Sequence, residues 1–253
     1  MMDKIQILNN NYNIHVTTIE KNEESTDGNV YILKNDQTKY VMKIYESLEH
    51  TKMMVSIHNL LRDLYIPRIV KTVDNRDYIN LDNKYAVMYT FLNGNQICEI
   101  DFGPLIPSIA RAVRKMHSLV NCNDINIKKV PFEVDESLRS SILHFDLTKN
   151  NIFYDDGKIG FIDFDDAKFG PAICEISIIV SLLFISKKRG INREGIKTFI
   201  ESYYENEPEL KKQELKYLKE YALKWLDYLL KNNEFDTSLK SSFENKRNCW
   251  KII

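Results

Sequence analysis

The stretch from Ile142 to Ala167 concentrates acidic side chains among apolar ones. Its sequence is ILHFDLTKNNIFYDDGKIGFIDFDDA, and it contains six aspartates: Asp146, Asp155, Asp156, Asp163, Asp165 and Asp166. Carboxylates are rarely fully buried unless they are paired or hold a metal. Two interpretations follow, namely an ordinary acidic loop or a magnesium site that handles a nucleotide phosphate.

The spacing of the polar residues favours the magnesium site. His144, Asp146 and Asn151 form the pattern H-x-D-x-x-x-x-N, and Asp163 follows on the next predicted strand. Phosphoryl transfer needs a group that positions the attacking hydroxyl, together with metal ligands that neutralise charge on the phosphates. One Asp and one Asn amide oxygen can suffice for Mg²⁺, because this ion keeps several waters. The order of a catalytic Asp, a metal Asn and a metal Asp is that of the protein-kinase template.

Apolar periodicity predicts the elements that position these residues. The first ninety residues alternate as strands do, for example in NVYILKN and KYAVMYTFL, with one helical segment at about 48–64. Beyond residues 93–95 the spacing is mostly helical, while FYDDGKIGF predicts a hairpin that turns at Asp156-Gly157. We therefore expect an α+β fold, with a small antiparallel β lobe at 1–92 and a larger, mainly helical lobe at 93–253.

Composition limits the classes of partner and compartment. The net charge of the 253 residues is -1, which argues against a nucleic-acid partner, because binding to phosphate backbones needs concentrated positive charge. The four cysteines have no zinc spacing and are expected to be reduced thiols. The longest apolar run, at 176–185, is too short to span a bilayer, and the first residues lack the apolar run of a signal peptide. We expect a cytoplasmic protein without a membrane partner, as a monomer or homodimer.

The segment LHFDLTKNNIFYDDGKIGFIDFDDAKFGPAICEIS, from Leu143 to Ser177, resembles the aminoglycoside phosphotransferase and choline kinase-like family, which includes type II homoserine kinases. The resemblance implies a protein kinase-like two-lobe fold. It also implies transfer of the γ-phosphate of ATP, with Mg²⁺, to a hydroxyl of a small molecule. The acceptor that it implies is an amine-bearing, cationic metabolite or an aminoglycoside-type antibiotic.

The resemblance assigns roles to residues of the larger lobe. Asp146 matches the catalytic aspartate, while Asn151 and Asp163 match the ligands of Mg²⁺. Asp165 matches a position that is often acidic and serves a second metal or the substrate. His144 matches a histidine that braces the catalytic loop and takes no part in the chemistry.

In the smaller lobe, the resemblance predicts a nucleotide clamp. Gly28 and Asn29 match the loop that covers the phosphates, and Lys43 matches the lysine that contacts the α- and β-phosphates. The backbone of the segment Tyr89, Thr90 and Phe91 matches the hinge that receives adenine. The same residues are also compatible with two other interpretations. Lys43 would then be a solvated lysine on a strand, and the segment of Tyr89, Thr90 and Phe91 an ordinary edge strand.

Three positions depart from the family pattern. Met54 stands where the family has the glutamate that pairs with the strand lysine, Phe145 stands where the motif has glycine, and Glu175 replaces an aspartate. Met54 and Phe145 motivate an alternative function, a catalytically weak nucleotide-binding pseudokinase or sensor. A protein Ser/Thr kinase is a lesser alternative, because no APE segment follows the strand that leads to Asp163.

Overall fold

The computed structural model describes residues 4–22, 29–119 and 125–252. The chain divides into two compact units, Met1–Asn93 and Gly94–Ile253. The division lies one residue beyond the boundary expected from the sequence. The first unit is built around an antiparallel sheet and the second is mainly helical, as expected for the α+β class.

The first unit contains a five-stranded sheet in the order β1-β2-β3-β5-β4, with antiparallel neighbours throughout. Its elements are α1 (Lys4–Asn11), β1 (Thr18–Lys21), β2 (Val30–Lys34), β3 (Lys39–Tyr45), α2 (Leu48–Leu60), β4 (Ile79–Leu81) and β5 (Lys84–Thr90). Leu8 and Tyr12 at the N-terminal helix bury their side chains with Leu33, Met42 and Met88 of the sheet. This apolar cluster holds the helix to the sheet, since α1 is too short to be stable alone.

The described residues of the second unit form three small antiparallel sheets together with several helices. Its first elements are β6 (Asn95–Gln96), a 3₁₀ turn (Gly103–Leu105), α3 (Ile106–Ser118), β7 (Ser140–Leu143), β8 (Ile152–Asp155), β9 (Lys158–Phe161) and β10 (Lys168–Pro171). The remaining elements are α4 (Ala172–Ile179), a π-helical turn (Val180–Phe184), β11 (Ile185–Ser186), β12 (Gly190–Ile191), α5 (Arg193–Tyr203), α6 (Pro208–Leu215), α7 (Leu218–Asn232) and α8 (Thr237–Ile252).

Local sequence explains the two elements that frame the acidic stretch. The hairpin of β8 and β9 turns at Asp156 and Gly157, whose φ angles of 41° and 83° are those of a two-residue turn with both residues in the left-handed region. Every residue of α4 is buried, so the first part of the apolar run 176–185 lies in a core helix; the rest forms the π-helical turn and the start of β11. Among the described residues, no helix has the length and apolar character needed to cross a bilayer.

Candidate functional site

The loop 144–151 connects β7 to β8, and one buried carboxylate accepts hydrogen bonds from the backbone at its start. Glu175, on α4, is fully buried. Its Oε2 accepts the backbone N–H of His144 at 2.9 Å, and its Oε1 accepts the backbone N–H of Phe145 at 2.7 Å. Because the next residue is Asp146, these two bonds fix the position from which the Asp146 side chain leaves the backbone.

The imidazole of His144 joins this loop to the segment that follows β9. Its Nε2 lies 2.7 Å from the carbonyl oxygen of Ile162, so Nε2 carries the proton and donates it to that carbonyl. Its Nδ1 then accepts the backbone N–H of Asp146 at 3.4 Å, and its ring packs on Phe164 at 4.5 Å. Both ring nitrogens of His144 are therefore used within the protein, in agreement with a bracing role.

Asn151 contacts Asp146 directly. The Asn151 amide nitrogen donates to the carbonyl oxygen of Asp146 at 2.9 Å and to its carboxylate Oδ2 at 3.0 Å. This arrangement turns the amide oxygen of Asn151 away from the carboxylate, and an amide oxygen is the atom that a hard cation binds. The backbone carbonyl of Asn151 accepts the N–H of Ile162 at 3.0 Å.

These bonds bring Asp163 beside the loop, since Ile162 contacts the loop through both its N–H and its carbonyl. Asp163 is exposed and has φ of 68°, in the left-handed region. Burial raises the pKa of Asp146 to about 6, the charges of Asp166 and Asp163 also act to raise it, and the hydrogen bond from Asn151 acts to lower it. The second unit thus brings Asp146, Asn151 and Asp163 together.

The donor set fits a magnesium ion that is held by few protein ligands. Among residues 4–22, 29–119 and 125–252, no group of three or more His, Cys, Asp or Glu side chains is arranged to hold a metal. One amide oxygen and one carboxylate are compatible with Mg²⁺ bound mainly through phosphate oxygens and water. Asp165, two residues beyond Asp163 and half-buried, stays a predicted ligand.

Phe145 occupies a backbone conformation that favours glycine. Its φ is 69°, yet its side chain is buried, 6.5 Å from the ring of Phe132 and 5.5 Å from Nζ of Lys168. A bulky residue in this region is strained. The loop therefore holds Phe145 in a conformation that glycine adopts without strain, while its ring is packed in the interior.

A polar network behind Glu175 is a part of the site that the sequence alone did not reveal. His117, on α3, donates from Nε2 to Glu175 Oε2 at 2.9 Å, and its Nδ1 accepts the hydroxyl of Tyr203 at 2.7 Å. Arg139 donates to the same hydroxyl at 3.0 Å. Both His117 and Glu175 are fully buried. The only signal in the sequence is a histidine in an amphipathic helix and a glutamate in an apolar one, which does not identify them as partners.

In the first unit, the residues predicted to hold the phosphates lie on or beside the sheet. Gly28 lies outside the described residues. Asn29 precedes β2, and its carbonyl accepts the N–H of Ile44 at 3.0 Å. Lys43 is a half-buried residue of β3, between Val30 and Val87 in register. Met54, at the position of the expected glutamate, is fully buried in the core of this unit.

The predicted hinge coincides with the end of β5. Tyr89 is a core residue: its hydroxyl lies 3.3 Å from that of Tyr45 and its ring 4.6 Å from that of His58. Thr90 donates its N–H to the carbonyl of Arg68 at 2.8 Å, so this donor already has a partner within the unit. Phe91 follows the strand and is exposed. Adenine recognition by this segment stays a prediction.

Comparison with protein families gives one match, over residues 127–211, to the phosphotransferase enzyme family. The matched segment contains Asp146, Asn151, Asp163, Asp165 and Glu175. No curated protein matches the sequence.

Solved structures match nearly the whole chain at low identity. An amicoumacin kinase, solved with AMP-PNP, Ca²⁺ and Ami, has a TM-score of 0.69 at 15% identity, over 99% of this chain and 94% of that one. A spectinomycin phosphotransferase, solved with ADP and spectinomycin, has a TM-score of 0.67 at 16% identity, over 96% and 92%. A microcompartment-associated aminopropanol kinase has a TM-score of 0.68 at 14% identity, over 97% and 93%.

These matches confirm the predicted fold class and the resemblance, and they support the prediction of a phosphotransferase that acts on hydroxyl groups. The chain has the α+β fold of small-molecule kinases, and its segment 127–211 matches the phosphotransferase enzyme family.

Proposed function

We propose that this protein transfers the γ-phosphate of ATP to a hydroxyl of a small molecule, with Asp146 as the catalytic residue. The observation that carries the proposal is the joint placement of Asp146, Asn151 and the Ile162–Asp163 segment by hydrogen bonds within one unit. The family match over residues 127–211 and the shared fold of small-molecule kinases support it.

The reaction assigns one task to each group. The acceptor oxygen forms a bond to the γ-phosphorus while the bond from that phosphorus to the bridging oxygen of ADP breaks. Asp146 aims the hydroxyl and accepts its proton. Mg²⁺ supplies positive charge to the phosphate oxygens, and the Asn151 amide oxygen with the Asp163 carboxylate would hold it, Asp165 serving a second ion or the acceptor.

The proposal extends to the first unit, where Lys43 would contact the α- and β-phosphates, with Gly28 and Asn29 over the phosphates. The backbone at Tyr89 to Phe91 would receive adenine. The support here is the resemblance and the position of Lys43 on the central strand β3. The amine-bearing character of the acceptor rests on the resemblance alone. The neighbours solved with AMP-PNP and Ca²⁺ or with ADP are in keeping with use of a nucleotide and a divalent ion.

Calorimetry and ADP release test this proposal. We expect ATP to bind more tightly with Mg²⁺ than without it, and we expect Asp163→Ala to remove that difference while the melting temperature is retained. We also expect ADP release with at least one acceptor from a panel of aminoglycosides, choline, homoserine and methylthioribose. Equal ATP affinity with and without Mg²⁺ in the unmutated protein would contradict the metal assignment.

A further inference from the structure

The segment 94–97 lies closely against β8, the strand that follows the loop 144–151. Its strand β6 pairs with β8 in antiparallel register. Gly94 permits this close approach, because its φ is 103° and a Cβ atom at this position would overlap the carbonyl oxygen of Tyr154. A side chain at position 94 would therefore separate the two strands.

Two donors of this segment bind the backbone on either side of Asn151. The side-chain Nε2 of Gln96 donates to the carbonyl oxygen of Asn150 at 3.0 Å. The backbone N–H of Ile97 donates to the carbonyl oxygen of Ile152, also at 3.0 Å. The residues before and after Asn151 are thus both held by the same short segment.

Of these two contacts, only that of Gln96 is made by a side chain. Its amide nitrogen faces the carbonyl of Asn150, because the opposite orientation would place the acceptor Oε1 against another acceptor. Oε1 lies 3.6 Å from Sγ of Cys98, whose S–H is a weak donor. A substitution of Gln96 can therefore remove one support of the loop and leave the backbone pairing of β6 in place.

The direction of the Asn151 amide oxygen depends on the backbone that carries it. The N–H of Asn151 donates to the carbonyl of Thr148 at 3.1 Å, and its carbonyl accepts the N–H of Ile162 at 3.0 Å. Its amide nitrogen is bound to Asp146. A shift of the backbone at Asn151 would therefore move the amide oxygen relative to Asp146. Groups that orient the ligands of a metal change its affinity when they are replaced.

We propose that Gln96 is a positioning residue, which holds the peptide group between Asn150 and Asn151 so that the Asn151 amide oxygen is aimed at Mg²⁺. This inference rests on the proposed function, in which Asn151 is a ligand of that ion. Gln96 acts through the backbone of its neighbour and not as a ligand. Loss of its hydrogen bond should lower the contribution of Mg²⁺ to nucleotide binding and leave metal-free nucleotide binding unchanged.

Calorimetric titration of the full chain with AMP-PNP, once with Mg²⁺ and once with EDTA, tests this role. The ratio of the two affinities isolates the contribution of the metal. We expect this ratio to fall by about 3–10-fold in Gln96→Met, as for the loss of one neutral hydrogen bond, while the affinity in EDTA is unchanged. Methionine places a methyl group where glutamine has Nε2, so it keeps the length of the side chain and removes the donor. Gln213→Met, at an exposed position of α6, is the matched control and should retain the ratio.

Hydrogen exchange in the metal-free protein gives a second, independent readout. The amide hydrogens of the loop 144–151 should exchange faster in Gln96→Met than in the parent, because local opening becomes easier. Gln96→Arg should keep the slow exchange, since its Nε–H lies as many bonds from Cα as the amide nitrogen of glutamine. A melting curve for each variant shows that the fold is kept. If Gln96→Met does not fold, Gln96→Ser replaces it as the variant without a donor of this reach.

Two results would overturn the role of Gln96 and leave the proposed function standing. One is a ratio in Gln96→Met that stays within about 2-fold of the parent, whether or not the affinity in EDTA has changed. The other is equally fast exchange in Gln96→Met and Gln96→Arg, which would assign the effect to side-chain packing and not to the donor. A parent that binds AMP-PNP equally well with Mg²⁺ and with EDTA would instead contradict the metal assignment of the proposed function, and the role of Gln96 with it.

Discussion

Replacing Glu175 by glutamine should loosen the loop 144–151 without changing the size of the buried side chain. The carboxylate accepts three N–H groups: those of His144 and of the His117 ring on Oε2, and that of Phe145 on Oε1. A glutamine amide has one acceptor oxygen. If that oxygen replaces Oε2, the amide nitrogen faces the N–H of Phe145, and a donor then opposes a donor in a fully buried place.

The size of the effect follows from these contacts. A hydrogen bond to a charged group contributes about 1.5–3 kcal/mol, and an unsatisfied buried donor costs about 1–3 kcal/mol. We therefore expect Glu175→Gln to lower the free energy of unfolding by roughly 2–4 kcal/mol. For a chain of this size, that corresponds to a fall in melting temperature of roughly 4–16 °C. Turnover should fall by up to about 10²-fold, since Asp146 is no longer held in position.

Thermal denaturation followed by circular dichroism, together with ADP release at saturating ATP, measures both effects. Glu175→Asp keeps the charge and shortens its reach by one methylene, so we expect a smaller loss in both quantities. Glu209→Gln, which changes an exposed carboxylate on α6, is the matched control and should leave both unchanged. A melting temperature of Glu175→Gln within about 1 °C of the parent would refute the conclusion that this carboxylate holds the loop.

Two further predictions concern strain and burial. Phe145→Gly should be more stable than Phe145→Ala by about 1 kcal/mol in chemical denaturation. The reason is that the φ angle of 69° costs an alanine about 1–2 kcal/mol and a glycine almost nothing. Equal stabilities of the two variants would mean that the loop is not strained at this residue. Burial lowers the pKa of Lys246 to about 8, below the ordinary value of ~10.4, so the unfolded chain binds more protons between these two pH values. The stability of the parent relative to Lys246→Met should therefore rise from pH 8 to pH 10, and a constant or falling difference would contradict the burial of a charged ammonium.

Local sequence explains why several elements could be predicted, among them the hairpin within the acidic stretch. The turn at Asp156-Gly157 follows from two residues that tolerate positive φ, and the strands β3 and β5 follow from alternating apolar residues. The helix α3 follows from apolar residues at helical spacing, all of which are buried. Each of these features is encoded within a window of fewer than about 15 residues, which is the range over which periodicity is informative.

Features that depend on tertiary contacts could not be predicted in this way. The helix α1 has a polar sequence and is held by burial of Leu8 and Tyr12 at the sheet, so its own residues carry little helical signal. Glu175 accepts hydrogen bonds from Phe145 and His144, which precede it by 30 and 31 positions. The N–H of Thr90 donates to the carbonyl of Arg68, which lies 22 positions earlier in the chain. Nothing in a linear pattern specifies which donor meets which acceptor over such separations.

The turnover of Asp146→Asn tests the central claim most directly. Asparagine keeps the shape of the side chain but cannot accept the proton of the acceptor hydroxyl, and the proposed metal ligands Asn151 and Asp163 are unchanged. With an acceptor from the panel, we predict that kcat falls by about 10²–10⁴-fold, the range for a positioned acid–base group, while ATP affinity stays within a few-fold of the parent. Turnover of Asp146→Asn within a few-fold of the parent would contradict the assignment of Asp146 as the catalytic residue.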